Sequence, residues 1–385
     1  MLLEYKNLID LHLKEIMSKN SELSIYQPIK YIVELGGKRF RSSLALLSSD
    51  IFCNNPLKAI NEAAAIELFH NFTLIHDDIM DEAPMRRGKS SVHKKWDTNI
   101  AILSGDLLYA FVNKILASSP EQSSEIHLLF QQTAIEVCEG QSLDMEFETS
   151  SQVSQDEYIN MIKLKTAVLV GCALKIGAII GGASKVDADL LYNFGVNLGI
   201  AFQIHDDILD VYPDKGVFGK QIGGDIIEKK KTILFIDLLS KSSLSQKNEI
   251  FSILESEDIK KDKKVEKIKN LYNKYNVLSN AEDVKSIYYN MAIDNISNLN
   301  IDTTKQSITL KDTKIKYDKL IVSPGVKLEY EKIIGLTDAL DSNSVYTAWK
   351  AGEETRLFSN QVKNIEDNNK IIITIPLSPY RCPPG

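Results

Sequence analysis

Apolar residues recur at helical spacing along the first three quarters of the chain, and strand-like alternation is almost absent there. Residues 63–79 and 191–209 show this spacing most clearly, with apolar positions three and four residues apart. The few prolines fall mostly where one such segment gives way to the next, at Pro28, Pro56, Pro84, Pro120 and Pro213. The pattern predicts an all-α fold from Leu2 to about Leu299.

The most apolar window, residues 167–184, could be read as a core helix or as a membrane span. It carries Lys175 near its middle and is shorter than most transmembrane helices. The sequence therefore predicts a buried core helix and no membrane span.

Near Asn300 the pattern changes to β-branched and alternating residues. We expect a boundary at residues 298–303, so that residues 1–300 form one domain and residues 301–385 a second, smaller α/β fragment. The expected elements of this fragment are a hairpin over 307–316 that turns at Asp312–Thr313, a strand in 317–325, a helix over 351–362 and a parallel strand in 370–376.

Composition adds limits to this picture. The 385 residues carry a formal net charge of -7, which argues against non-specific binding of nucleic acid. Four widely spaced cysteines form neither a disulfide framework nor a metal-ligand pattern. The first residues show no basic segment followed by an apolar one, as a signal peptide would. We therefore expect a cytoplasmic protein.

One acidic motif, Asp-Asp-x-x-Asp, occurs twice in the helical region. Residues four apart on a helix lie on one face, so two carboxylates of each copy converge and repel each other unless a cation binds. Hard oxygen ligands of this kind suit Mg²⁺. A single copy could equally be a solvated acidic helix end, but two copies, each after Ile-His, favour a metal site. The aspartates are Asp77, Asp78 and Asp81 in the first copy and Asp206, Asp207 and Asp210 in the second.

Clusters of basic residues accompany the acidic motifs. Arginine can bind phosphate oxygens through two hydrogen bonds, so Arg86 and Arg87, which follow Asp81 closely, favour diphosphate binding. A lone lysine such as Lys229 or Lys231 is more often a plain surface charge. The remaining candidates are Lys38, Arg39 and Arg41 after Gly36-Gly37, Lys165 before the apolar helix, and Lys220 and Lys230 after the second motif.

Residues 20–299 resemble the trans-isoprenyl diphosphate synthases of the farnesyl/geranylgeranyl type, in the polyprenyl synthetase family. The segments that carry the resemblance, in order, are GGKRFR, ELFHNFTLIHDDIMDEAPMRRGKSSVH, SGDLLYA, GQSLD, KLKTA, AFQIHDDILD and GKQIGGDIIEKKKT. The resemblance implies a helical bundle of the isoprenoid-synthase type around a central cavity, usually a homodimer. It also implies that the last helix of that domain is missing here.

The implied reaction is the Mg²⁺-dependent, head-to-tail condensation of isopentenyl diphosphate with an allylic diphosphate, with three Mg²⁺ ions between the acidic motifs and the substrate. The resemblance assigns metal binding to Asp77, Asp81, Asp206, Asp207 and Asp210, with Asp78 assisting. It assigns binding of the allylic diphosphate to Arg86, Lys165 and Lys220, and binding of isopentenyl diphosphate to Lys38, Arg41, His70 and Arg87. It places Thr166 and Gln203 near the forming carbocation and assigns closure of the site to Lys230. No protein nucleophile is needed, but water must be kept from the carbocation.

Product length would be set by side chains that precede the first acidic motif. In the family the growing tail runs behind this motif, where bulky residues stop elongation. The candidates are Phe69, Phe72 and Thr73, although both phenylalanines could simply be core residues. The motif also lacks the two-residue insertion of bacterial farnesyl synthases. We expect a C15 to C20 product, with C20 slightly favoured.

Residues 302–385 resemble an interior fragment of the flavoprotein subunit of sulfide dehydrogenase, of the flavocytochrome c type. The segments are YDKLIVSPG, TAWKAGEET and PYRCPPG, and Cys382 matches one half of a redox-active disulfide. The glycine-rich turn that a dinucleotide site needs is missing, so no intact FAD site is expected. Two alternatives to the synthase remain: a non-catalytic or inactive prenyltransferase-like chain, and a flavin-dependent sulfide oxidoreductase.

Overall fold

The structure is a computed structural model that describes the backbone of residues 2–18, 23–53, 55–118, 123–150, 152–213, 223–296, 300–302, 307–310, 313–316, 319–322 and 371–374. Residues 2–296 are almost entirely helical where they are described, as the apolar spacing predicts. The fifteen α-helices of the described residues are α1 Leu2–Ser18, α2 Tyr26–Glu34, α3 Phe40–Cys53, α4 Ile60–Met80, α5 Val92–Lys95, α6 Thr98–Ala117, α7 Ser123–Thr149, α8 Gln155–Ile162, α9 Val168–Gly181, α10 Lys185–Val211, α11 Gly224–Ile227, α12 Ile233–Ser240, α13 Leu244–Glu255, α14 Lys261–Lys274 and α15 Val277–Ile296, and a 3-10 helix, Pro56–Ala59, precedes α4.

The chain divides into two compact units. The first comprises Met1–Thr133, Leu169–Tyr192 and Leu299–Tyr317, and the second comprises Ala134–Val168, Asn193–Asn298 and Asp318–Gly385. The long helices α7 and α10 each contribute residues to both units. The predicted division at residue 300 is a different partition, and it stays a prediction.

In the first unit, α4 packs along α6 in the opposite direction. His76 of α4 lies against Gly105 of α6, where a Cβ atom would come within 2.2 Å of the imidazole Nε2. Phe69 lies earlier than His76 on α4 and Tyr109 lies later than Gly105 on α6, and the ring centroids of these two residues are 6.2 Å apart. The ring of Phe69 is fully buried and also contacts Phe130 edge to face at 5.0 Å. Phe69 is therefore a core residue of this unit.

In the second unit, one turn of helix is wound more widely than an α-helix. Lys163–Ala167 forms a π-helical turn between α8 and α9. A Cβ atom on Gly140 of α7 would lie 2.2 Å from the backbone nitrogen of Lys165, and one on Gly199 of α10 would lie 2.6 Å from the Cα atom of Ala167. Two glycines thus let neighbouring helices approach the backbone of this turn closely. The predicted core helix over 167–184 is observed as Val168–Gly181, and its periodicity did not reveal the π turn.

Two helical stretches in the described part of the chain are long and apolar enough to cross a membrane, judged by length and composition alone. They are Thr98–Ala117 and Gln155–Gly181. Within the fold, 78% of the apolar window in Gln155–Gly181 is buried, as expected of a core helix, against 33% in Thr98–Ala117.

Short strands form three small sheets in the part of the chain that the structure describes. The antiparallel pair β1 (Met85–Arg86) and β2 (Lys89–Ser90) is joined by Arg87 and Gly88, whose φ angles of 51° and 74° suit a tight hairpin turn. This hairpin was not predicted. The other strands are β3 Asn300–Asp302, β4 Ser307–Leu310 and β5 Thr313–Lys316 in one antiparallel sheet, and β6 Lys319–Val322 and β7 Ile371–Thr374 in a parallel pair.

Beyond residue 300, the predicted hairpin over 307–316 and the predicted parallel strand in 370–376 are confirmed, with one correction. Thr313 lies in β5, paired with Leu310, and not in the turn as predicted. Strand β3 was not predicted. The expected helix over 351–362 and Cys382 lie outside the described residues.

Candidate active site

The first acidic motif lies at the carboxyl end of α4, which ends at Met80. Asp77 is half-buried and Asp81, the residue after the helix, is exposed. Asp78 differs from both, because it is fully buried. The motif therefore presents its outer two carboxylates one turn apart, while its middle carboxylate points inward.

The buried carboxylate of Asp78 pairs with Arg86 of strand β1. The Nε atom of Arg86 donates to Oδ1 at 2.9 Å, and the Nη2 atom donates to the same oxygen. This bidentate contact fastens the hairpin of β1 and β2 to α4. Arg86, predicted as a ligand of the allylic diphosphate, is about 29% exposed in this pairing, so its outer face remains accessible.

The glycine-rich segment before α3 lies against the same hairpin. Gly37 has a φ angle of 146°, and a Cβ atom there would lie 2.9 Å from Nη2 of Arg87. Only glycine therefore lets this guanidinium rest on the backbone beside Lys38. The structure thus brings together two basic segments, residues 36–41 and 86–87, that are far apart in sequence.

His70 lies among the arginines of these segments. Burial, followed by the positive charges of Arg41, Arg87, Arg86 and Arg39, holds the pKa of the imidazole well below its usual range. The Nη1 atom of Arg41 is 3.5 Å from Nε2 of His70. A neutral histidine surrounded by guanidinium groups is an arrangement that favours a multiply charged anion.

Arg39, between two predicted ligands, serves the fold instead. Its buried guanidinium donates to Glu67 at 2.8 Å, to Asp10 of α1 at 2.8 Å and to the carbonyl oxygen of Val33 at 2.7 Å. Its φ angle of 49° is unusual for a residue with a side chain. The residue pattern alone grouped Arg39 with Lys38 and Arg41, because its two carboxylate partners are distant in the chain, whereas the resemblance assigned no ligand role to Arg39.

The second acidic motif, near the carboxyl end of α10, repeats this arrangement. Asp206 is exposed and Asp210 is half-buried, whereas Asp207 is only 5% exposed. The hydroxyl of Tyr158 donates to Asp207 at 2.6 Å, and the amide of Gln203 donates to its other oxygen at 3.1 Å. In both motifs the middle aspartate is therefore buried and hydrogen-bonded within the protein. Tyr158 was not predicted, and no local pattern marks it.

Gln203 also connects this motif to the π turn. The hydroxyl of Thr166 donates to its side-chain oxygen at 3.3 Å. The side chain of Lys165, in the same turn, pairs with Asp144 of α7. The predicted residues Lys165, Thr166 and Gln203 thus lie in one hydrogen-bonded region of the second unit.

Carboxylates crowd around the second motif. The backbone N–H groups of Gly224 and Asp225 donate to the two oxygens of Asp210, at 3.2 and 3.1 Å. Burial, together with the charge of Asp210, raises the pKa of Asp225 to about 6, and burial raises the pKa of Asp207 to about 7. Burial is the main cause of both shifts, and the charge of Asp210 adds to the shift of Asp225, which a nearby cation would oppose. Lys230 is exposed and lies 3.0 Å from Glu228.

The donor set fits a hard divalent cation that keeps much of its own shell. Among the residues that the structure describes, no group of three or more His, Cys, Asp or Glu side chains is arranged to hold a metal ion by itself. Mg²⁺ usually takes one or two protein carboxylates and completes its shell with water and phosphate oxygens. Pairs such as Asp77 and Asp81 suit this habit. The metal assignments themselves stay predictions.

The chain-length candidates on α4 have different surroundings. Phe69 is core, while Phe72 is half-buried and contacts His76 and Tyr109 at centroid distances of 4.7 and 5.5 Å. The Thr73 hydroxyl donates to the carbonyl oxygen of His70 at 2.9 Å. Tyr109 was not predicted. Lys220 lies outside the described residues.

Comparison with known proteins identifies the family. The polyprenyl synthetase model matches residues 22–274. The short chain isoprenyl diphosphate synthase of Methanothermobacter thermautotrophicus is 41% identical over 259 residues, which cover 67% of this chain and 80% of that protein. The geranylgeranyl diphosphate synthase of Saccharolobus solfataricus is 36% identical over 313 residues, covering 80% and 93%.

Solved structures agree with these relatives. The geranylgeranyl pyrophosphate synthetase of Pyrococcus horikoshii superposes with a TM-score of 0.72 at 34% identity, over 77% of this chain and 90% of that one. None of these relatives is a flavoprotein, so the second resemblance stays a prediction. The match over residues 22–274 and the shared helical fold together show that the chain belongs to the polyprenyl synthetase family.

Proposed function

We propose that the chain condenses isopentenyl diphosphate with allylic diphosphates, head to tail, to give a C15 to C20 prenyl diphosphate. The observation that carries this proposal is the cluster of basic side chains around His70, where Nη1 of Arg41 lies 3.5 Å from Nε2 of the imidazole, in the same unit as the first acidic motif. Two diphosphate substrates need many cationic donors, and this unit concentrates them. The names of the relatives, geranylgeranyl and short chain isoprenyl diphosphate synthases, support the same substrate class.

The chain's own residues then bind, orient and protect the reactants. Lys38, Arg41 and Arg87 hold isopentenyl diphosphate beside His70, while Arg86 and Lys165, with Lys220, hold the allylic diphosphate. The allylic C–O bond breaks, the double bond of isopentenyl diphosphate forms the new C–C bond, and a proton leaves to the released diphosphate. The hydrogen-bonded pair of Thr166 and Gln203 turns oxygen atoms toward developing positive charge. Closure by Lys230 excludes water.

We propose Mg²⁺ as the metal, with Asp77 and Asp81 as ligands in the first acidic motif and Asp206 and Asp210 as ligands in the second. When bound, it supplies positive charge that stabilises the leaving diphosphate. Asp78 and Asp207 support these carboxylates from inside through Arg86 and Tyr158.

We also propose a homodimer. The helix Thr98–Ala117 is apolar but largely unburied, and Ile102 and Leu103 are 42% and 54% exposed. Leu128 of α7 is 69% exposed. Apolar patches of this kind mark protein contacts. Sedimentation of the wild type and of Leu103→Asp tests this, with a shift from dimer to monomer expected.

For the remaining part of the chain, we propose that residues 301–385 take no part in the reaction. We further propose a cytoplasmic location, since the substrates are soluble diphosphates. Fractionation of the cells that make the protein tests the location.

The function is tested with labelled isopentenyl diphosphate, each allylic starter and Mg²⁺, followed by chromatography of the products. We expect a C15 or C20 product that is lost in EDTA and in Asp77→Ala. A soluble, helical protein that forms no product would overturn the proposed function. Products longer than C25 would overturn only the proposed length.

A further inference from the structure

Tyr109 faces the chain-length candidates from α6. Its ring centroid is 5.5 Å from that of Phe72 and 6.2 Å from that of Phe69. On α4 these two residues precede Asp77 by five and eight positions, or roughly 7.5 and 12 Å along the helix axis. Because its ring lies beside those of Phe72 and Phe69, Tyr109 faces this same stretch of α4, behind the acidic motif.

The phenol of Tyr109 belongs to a closed ring of hydrogen bonds. Its hydroxyl donates to the side-chain oxygen of Gln131 on α7 at 2.7 Å. The amide nitrogen of Gln131 donates to Asn113, and the amide nitrogen of Asn113 donates back to the carbonyl oxygen of Tyr109 at 2.9 Å. Each amide is thereby used as both donor and acceptor, so the network fixes the ring of Tyr109 between α6 and α7.

The surface beside this ring suits an apolar chain. Phe72 and Tyr109 are both half-buried, so part of each ring is accessible, whereas Phe69 is fully buried behind them. A prenyl tail whose diphosphate lies at Asp77 gains by leaving water along apolar surface on α4. An aromatic ring that is held by two amides resists displacement by a growing tail better than an unanchored one.

We propose that the network of Tyr109, Gln131 and Asn113 limits the length of the product by holding the Tyr109 ring beside Phe72. This inference rests on the proposed function. Gln131 and Asn113 act here as positioning residues, because they touch Tyr109 and not the substrate. The polar network, and not only the size of the aromatic side chains, then determines where elongation stops.

The test compares product lengths among four variants. Gln131→Leu and Tyr109→Phe remove the hydrogen bond but keep the bulk of the site, so the ratio of longer to shorter products is expected to rise about tenfold, a typical discrimination for one apolar contact. Gln131→Glu keeps an acceptor for the hydroxyl but loses the donor to Asn113, so a smaller rise than in Gln131→Leu is expected. Gln132→Leu, the same change at an exposed neighbouring position, is the matched control.

A second readout separates this inference from the proposed function. Calorimetry measures binding of prenyl diphosphates of increasing length, in Mg²⁺, to the wild type and to Gln131→Leu. If Gln131→Leu binds longer prenyl diphosphates than the wild type does, the inference is supported even if no condensation occurs. Condensation by the wild type with an unchanged product length in Gln131→Leu and Tyr109→Phe overturns the inference alone. A wild type that neither condenses nor binds these diphosphates overturns both.

Discussion

The aspartates of each motif differ in burial, and this difference divides their roles. Asp78 is fully buried against Arg86, whereas Asp81 is exposed. Removing one partner of a buried ion pair typically costs about 3–5 kcal/mol, because the other charge is left without compensation. An exposed carboxylate contributes little to folding, within about 0.5 kcal/mol.

We therefore expect Asp78→Ala to lower the free energy of unfolding markedly in metal-free protein, and Asp81→Ala to leave it almost unchanged. Asp81→Ala is instead expected to raise the Mg²⁺ concentration needed for half-maximal activity. Urea unfolding in EDTA and a Mg²⁺ titration of activity measure the two effects. Equal losses of stability in the two variants would contradict this division.

His70 gives a prediction for pH. Its imidazole has a lowered pKa in the folded protein, with Arg41, Arg87, Arg86 and Arg39 around it, against 6.5 in the unfolded chain. Below pH 6.5 the unfolded chain therefore binds a proton that the folded protein does not. Folding should lose stability as the pH falls below this value, by up to about 1.4 kcal/mol per pH unit.

Thermal unfolding between pH 5 and 8 measures this effect, with His70→Gln as the comparison. The wild type is expected to lose more stability than the variant below pH 6.5, and the two curves should run parallel above it. Parallel curves throughout would show that His70 is protonated in the ligand-free fold.

At this scale the spacing located the aspartates, and only the resemblance distinguished Asp78 from Asp77 and Asp81. Spacing alone treats Asp78 like Asp77, since both follow the same apolar helix. Burial of Asp78 depends on Arg86, and burial of Asp207 depends on Tyr158, 49 residues away. Such partners are set by tertiary packing, which no local pattern reports.

Among the elements, the π turn of Lys163–Ala167 depends on glycines of two neighbouring helices. Ala at position 140 or 199 would press on the backbone of Lys165 or Ala167. Overpacking of this kind typically costs about 1–3 kcal/mol. Because the turn orients Lys165 and Thr166, we expect Gly140→Ala to lower kcat more than it changes KM for isopentenyl diphosphate.

Steady-state kinetics and thermal unfolding of Gly140→Ala check this, with Ser142→Ala as a control at an exposed position of the same helix. If kcat is unchanged while stability falls, the turn is structural only.

The sequence predicted the helix after this turn from its apolar residues. It could not predict the π turn, because a single wide turn leaves no periodic signature.

For the whole molecule, the described helices end at Ile296 and the family match ends at residue 274. We expect a chain that ends at Ile296 to stay soluble and to keep the condensation activity. A chain that ends at Asn276 removes α15 with its buried Val284 and Ala292, and it should lose stability. Circular dichroism and the labelled-substrate assay compare both with the full chain.

An inactive or insoluble chain ending at Ile296 would mean that later residues support the fold.

Alternating residues sufficed to predict the hairpin of β4 and β5, because its pairing is local. The division into two units was not predicted, since segments distant in sequence, such as Met1–Thr133 and Leu169–Tyr192, belong to the first unit.

The arginines around His70 have a consequence for handling the protein. Carboxylates offset the charges of Arg39 and Arg86, but Arg41 and Arg87 add further positive charge near the same imidazole ring. Anions that fit the pocket therefore stabilise the fold by mass action, without any metal. Inorganic diphosphate, sulfate or phosphate in a storage buffer should protect the protein against heat more than chloride of equal ionic strength. The same anions would compete with isopentenyl diphosphate, so conditions that best preserve the enzyme are those that slow it.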